Sequence, residues 1–302
     1  MSATPIDLSR LPSPDAVEAL DYETLFAQRK AELVALFPAA QQPEIAAALT
    51  LESEPLTKAL QSSTFRELVL RQRVNDAARA VMLAKAMGAD LEHLAALFGI
   101  ARLTITPADP ENDIPAVMER DEDLRKRTQL APQGFSVAGP EGAYKSHALG
   151  ADGRVLDASA TSPTPGTVVV TVLSRDGDGT ADAALLAAVE SVLGADDVRP
   201  LTDHVLVRSA EIVTYRVRAR LYTFPGPDST VVIEEARKRL LAYNAAIHRL
   251  GMEPTLSGVY AALHIDGVER VELLEPAASL PVTRTQAPYC VLVDIQHGGV
   301  YG

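Results

Sequence analysis

The sequence predicts an α+β protein: a long-helix region over residues 1–104, then two small α+β domains at 105–210 and 211–302. Three observations carry this. Residues 44–87 hold apolar side chains at helical spacing without a single glycine. Beyond residue 104, glycine, proline and β-branched residues rise together. The rest of the chain then mixes stretches of period-two alternation with amphipathic helical stretches, as expected of small mixed layers.

Proline at positions 5, 12 and 14 keeps the first residues extended. A helix is expected to start near Asp15, with Glu18 and Glu23 at the positive end of its dipole, and to stop at about Leu36, before Pro38. The clearest helix covers 64–87. Leu70, Val74, Ala77, Val81 and Ala84 follow one another in alternating steps of four and three, the seam spacing of helices packed side by side. Ala77, Ala78, Ala80 and Ala84 allow close approach. The other faces carry Arg66, Glu67, Arg71, Arg73, Asp76, Arg79 and Lys85, with Glu67 and Arg71 in the favourable i,i+4 order. Gly88 is expected to end this helix and Asp90 to cap the next, whose stripe is Leu91, Leu94, Ala95 and Phe98, closed by Gly99.

Pro107, Pro110 and Pro115 make 104–115 read as a linker, followed by a charged helix at about 119–130. Strands are expected at 153–161 and 167–174, separated by the turn signal Ser162-Pro-Thr-Pro-Gly166. The loop 175–180 leads into a helix at 182–193 and a strand at 203–209. Over 211–223, Val213, Tyr215, Val217, Ala219 and Leu221 alternate with Arg216, Arg218 and Arg220, which places the arginines on one solvated or subunit-facing sheet surface. An amphipathic helix at 230–250 ends at Gly251, a second helix begins after Pro254, and strands at 268–274 and 289–295 complete the unit.

Composition bounds the function. A chain of 302 residues, 47% hydrophobic, can bury two or three cores. The net charge of −12 opposes nucleic-acid binding. Tryptophan is absent and aromatics are 5%, too few to suggest stacking platforms. No apolar run approaches the roughly 18 residues of a membrane span, and the N-terminus has no basic-then-apolar secretory signal. The single cysteine, Cys290, rules out an internal disulfide and fits folding in a reducing cytoplasm.

Templates for chemistry fail in turn: no Walker A loop, dinucleotide fingerprint, nucleophile elbow or His-Glu-x-x-His zinc helix is present. The six histidines are scattered without ligand spacing. Cys290, inside an expected strand, reads as a small hydrophobe. Asp176, Asp178, Thr180 and Asp182 alternate as calcium ligands do, but the position that should hold a bidentate Glu is Ala187, so a strand-to-helix turn with an Asp or Thr cap is the favoured reading. The acids Glu119, Asp121, Glu122 and Asp123 among Arg120, Arg125, Lys126 and Arg127 read as a salt-bridged, solvated helix face rather than an acid–base pair. No catalytic residue, cofactor or metal ligand is assigned.

The order of local motifs resembles one family. The runs are Gly88-Ala-Asp-Leu-Glu-His-Leu-Ala-Ala-Leu-Phe-Gly-Ile-Ala-Arg102, Glu119-Arg-Asp-Glu-Asp-Leu-Arg-Lys-Arg127, Ser136-Val-Ala-Gly-Pro-Glu-Gly-Ala-Tyr144, Asp152-Gly-Arg-Val-Leu-Asp157, Ser162-Pro-Thr-Pro-Gly-Thr-Val168 and Leu173-Ser-Arg-Asp-Gly-Asp-Gly-Thr180. With Pro5–Pro12, Arg102–Asp109 and Tyr260–His264, the likeness to baseplate J-like proteins of P2-like phages and R-type pyocins spans nearly the whole chain. The resemblance implies a structural wedge subunit of a contractile-tail baseplate, not an enzyme. Its implied partners are a second copy of itself, an I-type wedge protein, the sheath initiator and the hub and spike, with no nucleic acid and no membrane. The helical seam Leu70, Val74, Ala77, Val81 and Ala84 would serve the wedge bundle, and the C-terminal domain would dimerise to close a ring around the hub. Assembly would take place in the host bacterial cytoplasm, and the product would be a virion or a released bacteriocin particle. The alternatives are a tail-associated hydrolase and a calcium-binding interaction module.

Overall fold

The computed structural model describes residues 6–12, 14, 16–135, 139–195, 198–200, 202–226 and 228–300. The chain divides into two compact units, residues 6–101 and the residues from 102 onward.

The first unit is helical: α1 (Tyr22–Ala35), α2 (Gln42–Ala48), α3 (Pro55–Ala80) and α4 (Gly88–Ala96). The Asp21 carboxylate caps α1, accepting from the Thr24 N–H at 2.8 Å and its hydroxyl at 2.6 Å. Pro55 opens α3, where a missing N–H costs nothing. The 26 residues of α3 span about 39 Å.

Four expectations fail here. The expected helix start at Asp15 lies outside the described residues, but Glu18 is described and precedes α1. Its backbone is clamped to α3 instead: its N–H donates to Asn75 Oδ1 at 3.0 Å and its carbonyl accepts from Asn75 Nδ2 at 2.9 Å. The long helix also stops at Ala80 rather than 87. Beyond it the Met82 carbonyl accepts from the Lys85 and Ala86 N–H groups. This turn delivers Ala86, Leu91 and Ala95 to fully buried positions. Burial of that stripe outweighs the helical propensity of 81–87. Gly88 does take a left-handed conformation (φ 52°), but it opens α4 rather than closing α3. Asp90 sits inside the first turn of α4 and does not cap it.

The second unit starts with a hairpin where a linker is expected. β1 (Thr104–Thr106) pairs antiparallel with β2 (Val117–Met118), and Asp109 and Ile114 exchange backbone hydrogen bonds between them. The Asp109 side chain accepts from the Glu111 and Asn112 amides, so the prolines flank a hydrogen-bonded turn. The Thr104 carbonyl packs directly against Gly153, where an added Cβ would collide with it.

After α5 (Asp121–Leu130) comes α6 (Glu141–Ala151), a helix the sequence did not signal because its buried face is Gly142, Ala143, Tyr144 and Ala148 rather than a large-apolar stripe. The Ser136-Val-Ala138 start of one family motif lies outside the described residues. β3 (Val155–Thr164), β4 (Thr167–Ser174), α7 (Ala183–Leu193) and β5 (His204–Ser209) follow, with sheet order β3-β4-β5. β3 runs further than expected, to Thr164, so the turn is confined to Pro165-Gly166, with Gly166 at φ 78°. β4 pairs antiparallel with β3 and parallel with β5. Val170, Val172, Leu185, Val189 and Leu193 form the core between this sheet and α7.

β6 (Glu211–Thr223), α8 (Ser229–Ile247), α9 (Leu256–Leu263), β7 (Val268–Glu275) and β8 (Gln286–Val300) form the last layer pair, with β6 central in the order β7-β6-β8. Tyr215, Val217, Ala219 and Leu221 are buried against Ala236, Leu240, Val259 and Leu263, and Arg216, Arg218 and Arg220 are exposed, as the alternation predicts. α8 ends at Ile247 and Gly251 (φ 73°) turns the chain only afterwards.

Gly153→Ala forces the collision with the Thr104 carbonyl and is expected to destabilise the second unit by about 1–3 kcal/mol, as overpacking does. A denaturant titration reads this directly; an unchanged midpoint would mean that the hairpin does not dock as described.

Candidate functional site

The unusual surface is on α3. Its buried side chains are Thr57, Thr64 and Asn75, all polar. Its large apolar side chains face out: Leu70 is 66% exposed, Val74 63% and Phe65 59%. The polar face is fixed by charge. Glu67 receives Arg29, whose Nε lies 2.6 Å away, and Arg71, whose Nη2 lies 2.8 Å away, and Arg71 also reaches Glu18 at 2.9 Å. Hydrogen bonds from Arg29 and then Arg71 hold Glu67 below the usual carboxylate range. The Thr57 and Thr64 hydroxyls are buried without a hydrogen-bond partner among the described residues. A helix that hides its polar groups and shows its apolar ones has not finished its burial.

Of the five expected seam residues, Leu70, Val74 and Ala77 lie in line on the exposed face of α3. Val81, 72% exposed, caps the helix end, and Ala84 sits half-buried in the turn beyond it. A second exposed pair, Phe65 and Val69, stands apart from the seam by about a quarter turn or more. The sequence carried that pair at i,i+4 spacing, with Arg66 and Glu67 between its members.

A second bare surface lies on the last sheet. α8 and α9 cover one face of β7-β6-β8. On the other, Arg218 stands between Glu275 at 3.6 Å and Asp294 at 3.5 Å, Arg220 lies opposite Glu272 and Gln296, and Arg216 opposite Leu292. The Arg270 guanidinium stacks on Tyr222, 4.2 Å from the ring centre. Charges of both signs interleave, which suits a protein partner better than a polyanion. β8 is an edge strand of 15 residues, with Val291 and Leu292 exposed along it.

The candidate chemical groups are occupied otherwise. Asp178 accepts from the Thr180 N–H at 3.0 Å, and Asp182 caps α7 by accepting from the Leu185 N–H at 2.6 Å. The Asp-Gly-Asp-Gly loop is therefore a turn and cap. Among the described residues no group of three or more His, Cys, Asp or Glu is placed to hold a metal. The acidic run is not the solvated face expected of it. Glu119 is buried against Arg127 at 2.6 Å, Asp121 pairs with Arg102 at 2.7 Å, and Asp123 is buried against Arg175 at 2.8 Å. Cys290 is half-buried, and burial pushes its thiol up, away from nucleophilic use. No helix among the described residues is long and apolar enough to cross a membrane.

The apolar face of α3 therefore stands open at the surface, and the buried carboxylates serve as struts between segments. Residues 52–109 match the baseplate J-like N-terminal domain and residues 136–209 the baseplate J-like central domain. The chain is 52% identical to Baseplate protein J of Escherichia phage P2 over 296 residues, covering 97% of this chain and 98% of that protein. The chain belongs to the baseplate J-like family. It also resembles a chain of the anti-feeding prophage baseplate solved by cryo-electron microscopy, at 13% identity and a TM-score of 0.39, over 59% of this chain and 44% of that one. A likeness at that level adds nothing to the assignment.

Removing one partner of the buried Glu119–Arg127 pair leaves a charge without its counterion. Arg127→Met is expected to cost roughly 3–5 kcal/mol in chemical denaturation. A loss below about 1 kcal/mol, typical of exposed pairs, would show that the pair is solvated after all.

Proposed function

We propose that the chain is a wedge subunit of a contractile-tail baseplate, of phage or R-type bacteriocin, and that it acts by assembly without turnover. The observation that supports this most is the outward apolar face of α3, in a family whose P2 relative is a baseplate protein. In this reading residues 1–104, 105–210 and 211–302 are three functional parts. The face bearing Leu70, Val74, Ala77 and Val81 packs against a second copy of the chain and one I-type wedge protein. The bare face and β8 edge of the last sheet meet another copy between wedges, closing the ring around hub and spike beside the sheath initiator. The subunit assembles in the host bacterial cytoplasm and ends in the released particle. Interleaved charge on the last sheet favours a contact that can separate when the sheath contracts, since exposed ion pairs add specificity more than affinity.

Co-expression with the neighbouring tail proteins, followed by native mass measurement, tests this. The expected complex holds two copies of this chain and one I-type protein. Leu70→Asp with Val74→Asp should leave the isolated chain's stability within about 0.5 kcal/mol, because both side chains are exposed, and should abolish the complex. A chain that stays monomeric beside its neighbours, or a doubly substituted chain that still assembles, contradicts the proposal.

A further inference from the structure

The middle sheet (β3-β4-β5) and the last sheet (β7-β6-β8) meet at a junction with an unusual composition. Most joints between packed layers are flexible segments of glycine, proline and polar residues that few contacts cross. Here β5 ends at Ser209 and β6 starts at Glu211, so the linking segment is Ala210 alone. That residue is buried, and the backbone step is held from both sides. The Ala210 N–H donates to the Val172 carbonyl of the middle sheet at 2.8 Å, and the Glu211 N–H donates to the Thr285 carbonyl at 3.1 Å. Leu173, Ala210 and Ala287 make a small buried apolar patch around it.

An apolar patch alone could slide. Two buried carboxylates of the middle half prevent that. Asp157 of β3 accepts from the Leu250 N–H at 3.1 Å, while its other oxygen holds Lys145 at 2.8 Å. Asp123 of α5 holds Arg175 at 2.8 Å and reaches Arg249 at 3.6 Å. Arg249 and Leu250 both belong to the turn after α8, in the last half. Asp123 and Asp157 are 6% and 7% exposed, so neither finds water as a substitute without the joint opening. The Ser159 hydroxyl adds a directional bond to the Arg284 carbonyl at 2.7 Å. Each link fixes a position along the interface, which contact area alone does not.

We propose that this buried charge joint, with Arg249 and the Leu250 amide of the last half gripped by Asp123 and Asp157 of the middle half, is a lock that makes the two sheets one rigid lever. Displacement of either sheet is carried to the other with no hinge at residue 210. The lock is a property of the chain itself and does not depend on the baseplate reading.

Hydrogen exchange on the full chain, read by mass spectrometry, tests it with Arg249→Met and, separately, Asp157→Asn. Arg249→Met removes the Asp123 grip, and Asp157→Asn removes the charge and leaves one acceptor oxygen where Lys145, the Ala158 N–H and the Leu250 N–H had two; both nearly keep side-chain volume. The lock predicts exchange roughly tenfold faster or more at residues 209–212 and 249–251, with the centres of β4 (Val170–Val172) and β6 (Val217–Ala219) protected as in the unsubstituted chain. Unchanged exchange at the junction in both variants overturns the proposal. So does equal acceleration at the junction and at both sheet centres, because the two carboxylates would then serve general stability rather than the joint. If Arg249→Met fails to fold, the sheet centres report it and Asp157→Asn decides.

Discussion

A helix of 26 residues that turns Thr57, Thr64 and Asn75 inward and Phe65, Leu70 and Val74 outward sets the terms for this protein. The hydrophobic effect drives apolar surface away from water wherever it can be covered. Within the helical unit, the α1 side of α3 is taken by ion pairs and the Asn75 clamp, so the apolar stripe is left for something else. Among the described residues neither the Thr57 nor the Thr64 hydroxyl has a hydrogen-bond partner, and a buried hydroxyl left that way costs stability. A sequence selected only for the stability of the lone chain would place leucine where Thr64 stands and a charge where Val74 stands.

The unit from residue 102 onward is built on the opposite plan. The two three-stranded sheets each bury one face against their own helices, around cores that are mostly aliphatic, with Val170, Val172 and Leu185 beside Tyr144 in one and Val217, Leu221 and Leu240 beside Tyr215 in the other. Charged groups hold the elements around the sheets. Glu119 and Asp123 stand in an acidic run where an acid–base pair is conceivable from sequence, yet both, like Asp157, are buried against cations. Their role is to fix orientation, which buried ion pairs do at a cost in stability relative to apolar packing.

Much of the fold was legible in the sequence. β6 falls where the alternation puts it, because a strand with one buried face writes that face as a period of two, and β4, buried on both faces, shows instead as a β-branched run after a turn signal. The stripe Leu70, Val74 and Ala77 was legible as a helical period, and in this chain it lies exposed. What local pattern missed was decided by distant contacts. Apolar spacing continues through Val81 and Ala84, yet the helix stops at Ala80 because Ala86 and Leu91 are buried elsewhere. The prolines at 107–115 signal a break, and nothing local shows that the break is the loop of a hairpin docked on Gly153. α6 hides behind small residues. The grip of Asp157 on the Leu250 amide joins positions 93 residues apart, beyond the reach of any motif. The assembly role was not legible from physics at all; family likeness supplied it, and the exposed face of α3 is what gives it a physical basis.

The most direct measurement is covalent footprinting of aliphatic side chains, comparing the isolated chain with intact tails. Leu70 and Val74 should label readily in the free chain and become strongly protected in the particle. Equal labelling of Leu70 and Val74 in both states would mean that the outward apolar face of α3 is not what holds this protein in its assembly.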